Sequence, residues 1–160
     1  MVKSVLPKNK KLKFLLPLIA VATISFCFVV GMTDQDWLNW GNKCLNESFD
    51  ASSDIKIKKW ELTLTDDSFI RLRKTFQNGK QEYFSLHLQR LDTINYVGDV
   101  NSGILQLKSK EDDIIVQTYN DKKGNIDSMA NVLAIPLKNM EPERLDSLRT
   151  ALEYFKAKTL

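Results

Sequence analysis

The sequence predicts an α+β fold: an N-terminal transmembrane helix, then an antiparallel sheet of six to seven strands and one C-terminal amphipathic helix. Three observations predict it. Residues 14–33 carry no charge and sit directly behind a lysine cluster. From Ile55 onward, apolar and polar residues alternate with a period of two between turn-forming Asp, Asn and Gly. Behind Pro142, apolar residues return to spacings of three and four. The chain divides accordingly into a basic tail (1–13), an anchor or signal segment (14–33), a juxtamembrane helix and linker (34–54) and a globular domain (55–160).

The apolar segment is FLLPLIAVATISFCFVVGMT. At about 1.5 Å per residue its helix would span roughly 30 Å, the thickness of a bilayer's hydrocarbon core. A secretory signal has a shorter apolar region, about 7 to 15 residues, and ends in small residues. Here no A-x-A closes the run, which favours an uncleaved anchor; a cleaved signal followed by secretion is the alternative. The bacterial lipoprotein pattern ends in a small residue before cysteine, and Phe26 before Cys27 departs from it. Lys3, Lys8, Lys10, Lys11 and Lys13 precede the segment, and no Asp or Glu occurs before Asp34. Positive residues stay on the cytoplasmic side, so the remainder is expected outside the cytoplasm, most naturally in a bacterial periplasm. Lys10, Lys11 and Lys13 would face the inner headgroups. Trp37 and Trp40 would either anchor the outer interface or pack into the folded domain.

All twenty acidic residues, but only eighteen of the twenty-three Lys and Arg, lie after Thr33. The expected exported part is therefore slightly acidic, and the overall basic balance gives no support to nucleic-acid binding. Cys44 is the only cysteine there, which excludes a disulfide within the domain.

Residues 36–49 read as a short helix with Trp37, Leu38, Trp40, Cys44, Leu45 and Phe49 on a loose apolar stripe. Residues 50–54 form a polar linker. Trp60, Leu62 and Leu64 then alternate with polar residues, and a bulge near Lys58–Lys59 would bring Ile55 and Ile57 to the same face. Asp66–Asp67 marks a turn, and Ile70, Leu72 and Phe76 a second strand. Asn78–Gly79 signals a hairpin, because both residues accept the positive φ of a type I′ turn. Phe84, Leu86 and Leu88 line the returning strand. Further strands are expected at 93–97, 103–107, 113–119 and 129–138. Pro136 makes the last of them an edge or a bulge. Pro142 opens the closing helix, whose stripe of Leu145, Leu148, Leu152 and Phe155 is expected to cover the sheet.

This order, from Ile55 to Lys158, is similar to the pleckstrin-homology-like fold. Members that bind phosphoinositides cluster basic residues in the first hairpin and its loop. Asp66 and Asp67 stand in that loop here, so inositol-phosphate binding is not implied.

No catalytic or metal constellation is legible, and neither an enzyme nor a cofactor is expected. His87, the only histidine, sits between Leu86 and Leu88 and points to the polar face. No motif surrounds it or Cys44. Glu111–Asp112–Asp113 and Asp66–Asp67 lack the spacing and glycine of a calcium loop. Lys56, Lys58, Arg71, Arg73 and Lys80 form a candidate basic stripe for an anionic partner, with Glu61 placed to neutralise part of it. The expected function is a membrane-tethered, non-enzymatic domain for protein interaction or envelope assembly, its partners the bilayer and an envelope protein. The alternative is a small-ligand binder with a cavity between sheet and helix.

Overall fold

The computed structural model describes residues 31–54 and 56–158. The lysine cluster and all but the last three residues of the expected anchor lie outside that range. No helix among the described residues is long and apolar enough to cross a membrane.

Helix α1 (Asp34–Ser48) begins two residues earlier than its apolar stripe suggests. Thr33, the end of the charge-free run, is its N-cap. The Thr33 hydroxyl accepts from the Asp36 N–H, and the Asp36 carboxylate accepts from the Thr33 N–H in return, a reciprocal capping box. Residues 34–54 belong to the same compact unit as the strands, which runs from Thr33 to Leu160. Leu45 and Cys44 of α1 are buried in the core.

Eight strands follow: β1 (Ile57–Leu64), β2 (Phe69–Phe76), β3 (Gln81–His87), β4 (Leu91–Gly98), β5 (Gly103–Ser109), β6 (Ile114–Tyr119), β7 (Asp127–Ala130) and β8 (Val132–Leu137). They form two antiparallel sheets rather than the expected one. The larger has the order β1-β2-β3-β6-β7, and the smaller β4-β5-β8. The extra strand comes from the run read as one strand at 129–138. Its first part pairs with β6 and its second with β5, and only Asn131 separates them. Pro136 sits on β8, an edge of the smaller sheet, as its missing N–H requires.

The bulge at Lys58 is present: Ile57 pairs with Phe76, yet Lys59 pairs with Thr75. The hairpin at Asn78–Gly79 is present too, with a different turn. The Gly79 N–H donates to the Phe76 carbonyl at 3.0 Å, and Gly79 has φ +87° while Asn78 stays out of the left-handed region. This is a three-residue loop, a type I turn closed by a left-handed glycine, and not type I′.

Helix α2 (Pro142–Ala157) closes the chain. Leu148, Leu152 and Phe155 are fully buried in one cluster with Leu62, Leu72, Leu86 and Leu91 from the strands and Leu45 from α1. Near its end Tyr154 stacks on Trp37 at 6.0 Å between ring centres, and Lys158 pairs with Asp34 at 3.1 Å. Trp37 and Trp40 thus pack, half-buried, into the folded domain.

Candidate functional site

Strand alternation sends Leu62, Leu64, Ile70, Leu72 and Leu86 of the larger sheet inward, where all are buried. The opposite parity forms an outer face. Register aligns it in two rows: Thr63–Arg71–Ser85–Ile115–Met129 and Glu61–Arg73–Tyr83–Gln117–Asp127. Tyr119 pairs with Gln81 one step further along, and Tyr119, Ile126 and Met129 are among the exposed large apolar residues. Arginine, tyrosine and methionine are the residue types enriched where proteins meet proteins.

Toward the β1 side of this face lies a shallow depression of about 240 Å³ lined by Glu61, Thr63, Thr65, Arg71, Arg73 and Tyr83. The Arg73 guanidinium lies over the Tyr83 ring at 5.5 Å and has no ion pair within 4 Å among the described residues. Glu61, its cross-strand neighbour, bonds Lys59 at 2.6 Å instead, which holds the Glu61 carboxyl below its ordinary range. Arg71 stacks over Phe69 at 5.0 Å and reaches Asp67 at 3.6 Å, while its Nε is buried without a hydrogen-bond partner. Arg73 therefore keeps donor capacity that the domain itself does not use, while Arg71 is partly engaged by Asp67.

The other members of the predicted basic stripe lie elsewhere. Lys56 and Lys80 line an open groove of about 650 Å³ at the hairpin end, with Lys74, Lys123, Asp54, Glu82 and Asp121. Lys80 is consumed there: it bonds Asp121 at 3.0 Å and Glu82 at 3.1 Å, and those bonds raise its pKa. Lys58 is exposed at the bulge. The structure thus brings Arg71 and Arg73 together and sets the lysines apart. Tyr83, Ile115 and Met129 were not read from sequence as site residues.

The two reactive side chains have separate surroundings. Cys44 is 3% exposed, between α1 and α2. Its Sγ accepts from Arg144 Nε at 3.3 Å, and burial pushes the thiol pKa up. His87 ends β3 and stacks on Phe69 at 4.6 Å, half-buried, with Nε2 unpartnered. Among the described residues no three His, Cys, Asp or Glu side chains gather as a metal site.

No protein-family model matches this chain, and no curated protein or solved structure is significantly similar to it.

Proposed function

We propose that this chain is a non-enzymatic protein-interaction domain, held outside the cytoplasm by an anchor at residues 14–33. Its docking surface is the outer face of the larger sheet. The observation that carries this reading is the pair Arg71 and Arg73, only partly neutralised within the domain, beside the apolar flank of Tyr83, Ile115 and Met129. The matching partner is an envelope protein segment offering carboxylates next to apolar side chains. Against the small-ligand alternative stands the filling of the space between sheet and C-terminal helix by Leu148, Leu152 and Phe155. The likeness of element order to pleckstrin-homology-like domains does not alter this reading, because the Asp66–Asp67 turn disfavours a phosphate ligand.

Site-specific photocrosslinking of the full chain in cells tests the face. A crosslinker at Tyr83 or Met129 is expected to capture one protein, and Arg73→Glu is expected to abolish that adduct. A crosslinker at the exposed Lys122 is the control. Equal adducts from Lys122, or adducts indifferent to Arg73→Glu, would exclude this face. Intact mass of the mature protein tests the anchor: a chain starting near Met32 would mean a cleaved signal.

A further inference from the structure

The two sheets have four edges, β1, β7, β4 and β8, and an open edge is a template for another strand. Three are protected. On β1, Asn42 and Asn46 of α1 bond the backbone of Leu62 and Leu64. On β8, the Asp50 N–H donates to the Pro136 carbonyl at 2.9 Å and the Lys138 N–H to the Ser48 carbonyl at 2.7 Å. Strand β7 is only four residues long.

Strand β4 has none of these protections from Thr93 to Val97; its one irregularity is a bulge between Leu91 and Thr93. It runs eight residues without lysine or proline and carries one charge, Asp92. Among the described residues, no backbone group outside the sheet bonds to residues 92–97. The Asp99 N–H donates to the Ser102 carbonyl at 3.0 Å in the same register as β4 and β5. Alternation then makes Val97, Asn95 and Thr93 the residues bonded to β5. Ile94 and Tyr96 consequently turn their N–H and C=O groups outward.

We propose that β4 is a self-association edge, through which two copies of this chain pair antiparallel about a two-fold axis at Asn95. The smaller sheets would then join across the axis. Backbone and side chains agree on that register. Ile94 of one copy falls opposite Tyr96 of the other, so the outward groups of both bond each other. On the exposed face Thr93 falls opposite Val97, a pair of β-branched residues suited to cross-strand packing. The regular stretch from Thr93 to Val97 holds no charged residue, so no like charges meet there. This self-complementarity is what a two-fold interface needs and selects a second copy as the occupant.

Asn95 is exposed on the outer face, so substitution there leaves the core untouched. At a non-hydrogen-bonded antiparallel pair the Cα atoms approach to about 4.5 Å, within disulfide reach. In a Cys27→Ser background of the full chain, Asn95→Cys is expected to form a disulfide dimer on mild oxidation. Gln106→Cys, on the central strand β5, is expected to form none. By sedimentation in detergent the wild type is expected to be a dimer, and Asn95→Lys to weaken it about fivefold or more by setting two ammonium groups face to face. Circular dichroism checks that both variants fold. A wild type that sediments as a monomer would overturn the proposal, as would crosslinking of Asn95→Cys no better than Gln106→Cys. Capture of a different protein at β4 in place of a second copy would overturn it too.

Discussion

Replacing Asn42 by alanine is expected to detach α1 from the edge of β1. The Asn42 Oδ1 accepts from the Leu64 N–H at 2.8 Å, and its Nδ2 donates to the Leu64 carbonyl at 2.7 Å. One amide thus closes both backbone groups of a residue that is 1% exposed. Two hydrogen bonds contribute roughly 0.5–1.5 kcal/mol each, and a buried group left unpaired costs about 1–3 kcal/mol. With water reaching part of the gap, Asn42→Ala is expected to lose about 2–3 kcal/mol. Asn46 makes one such bond, to the Leu62 carbonyl at 3.0 Å, from an exposed position. Asn46→Ala is therefore expected to lose about 1 kcal/mol or less. Denaturant unfolding of the full chain in detergent measures both, and amide exchange at Leu64 locates the effect. A loss below about 0.5 kcal/mol for Asn42→Ala, with Leu64 still protected, would refute edge closure by side-chain amides.

Phe155→Ala empties a fully buried site in the shared core and is expected to cost about 3–5 kcal/mol by the same unfolding measurement. At Gly103 an added Cβ would lie 2.4 Å from the Tyr96 ring, so Gly103→Ala is expected to displace Tyr96 and break its hydroxyl bond to the Asp99 carbonyl, seen as altered tyrosine fluorescence. The Asp34 carboxyl is held below its ordinary 3.8, first by the Tyr154 hydroxyl and then by Lys158. Its stabilisation is complete above 3.8 and drains as pH falls through the lower folded value. The melting temperatures of wild type and Asp34→Asn should therefore differ near neutrality and converge in acid. Cys44, buried and with its thiol pKa raised, is expected to resist alkylation until the chain unfolds; rapid labelling of the native protein would contradict that burial.

Local features were legible wherever one residue type forces the geometry. Pro136 required an edge or a bulge and lies on an edge, the parity break around Lys58 required a bulge, and the Leu148–Leu152–Phe155 stripe required a buried helix face. The partition into two sheets was not legible, because it depends on Asn131 dividing one continuous run between β6 and β5, which belong to different sheets. The turn at Gly79 mattered most for the site. A two-residue turn at Asn78–Gly79 would pair Gln77 with Lys80 and set Arg73 opposite Phe84. The three-residue loop shifts the register by one and sets Arg73 opposite Tyr83. The arginines were thus visible in the sequence, but their aromatic neighbour depended on the turn. Thr33 was missed as a cap because it closes an apolar run, and a cap is recognised by the residue that answers it, here Asp36.

The bonds between the first and last elements bear on when this domain can fold. Strand β8 receives residues 48–50, Arg144 bonds Glu47 at 2.8 Å, and both Tyr154 and Lys158 bond Asp34. A chain emerging from its N-terminus delivers α1 more than eighty residues before these partners arrive. Until then Trp37 lacks the Tyr154 ring it stacks on, and residues 48–50 lack the strand they bond. Contacts this distant in sequence close late and slowly. The domain is therefore expected to complete folding only after nearly all of it has been synthesised, with α1 as the segment most in need of shielding during the wait.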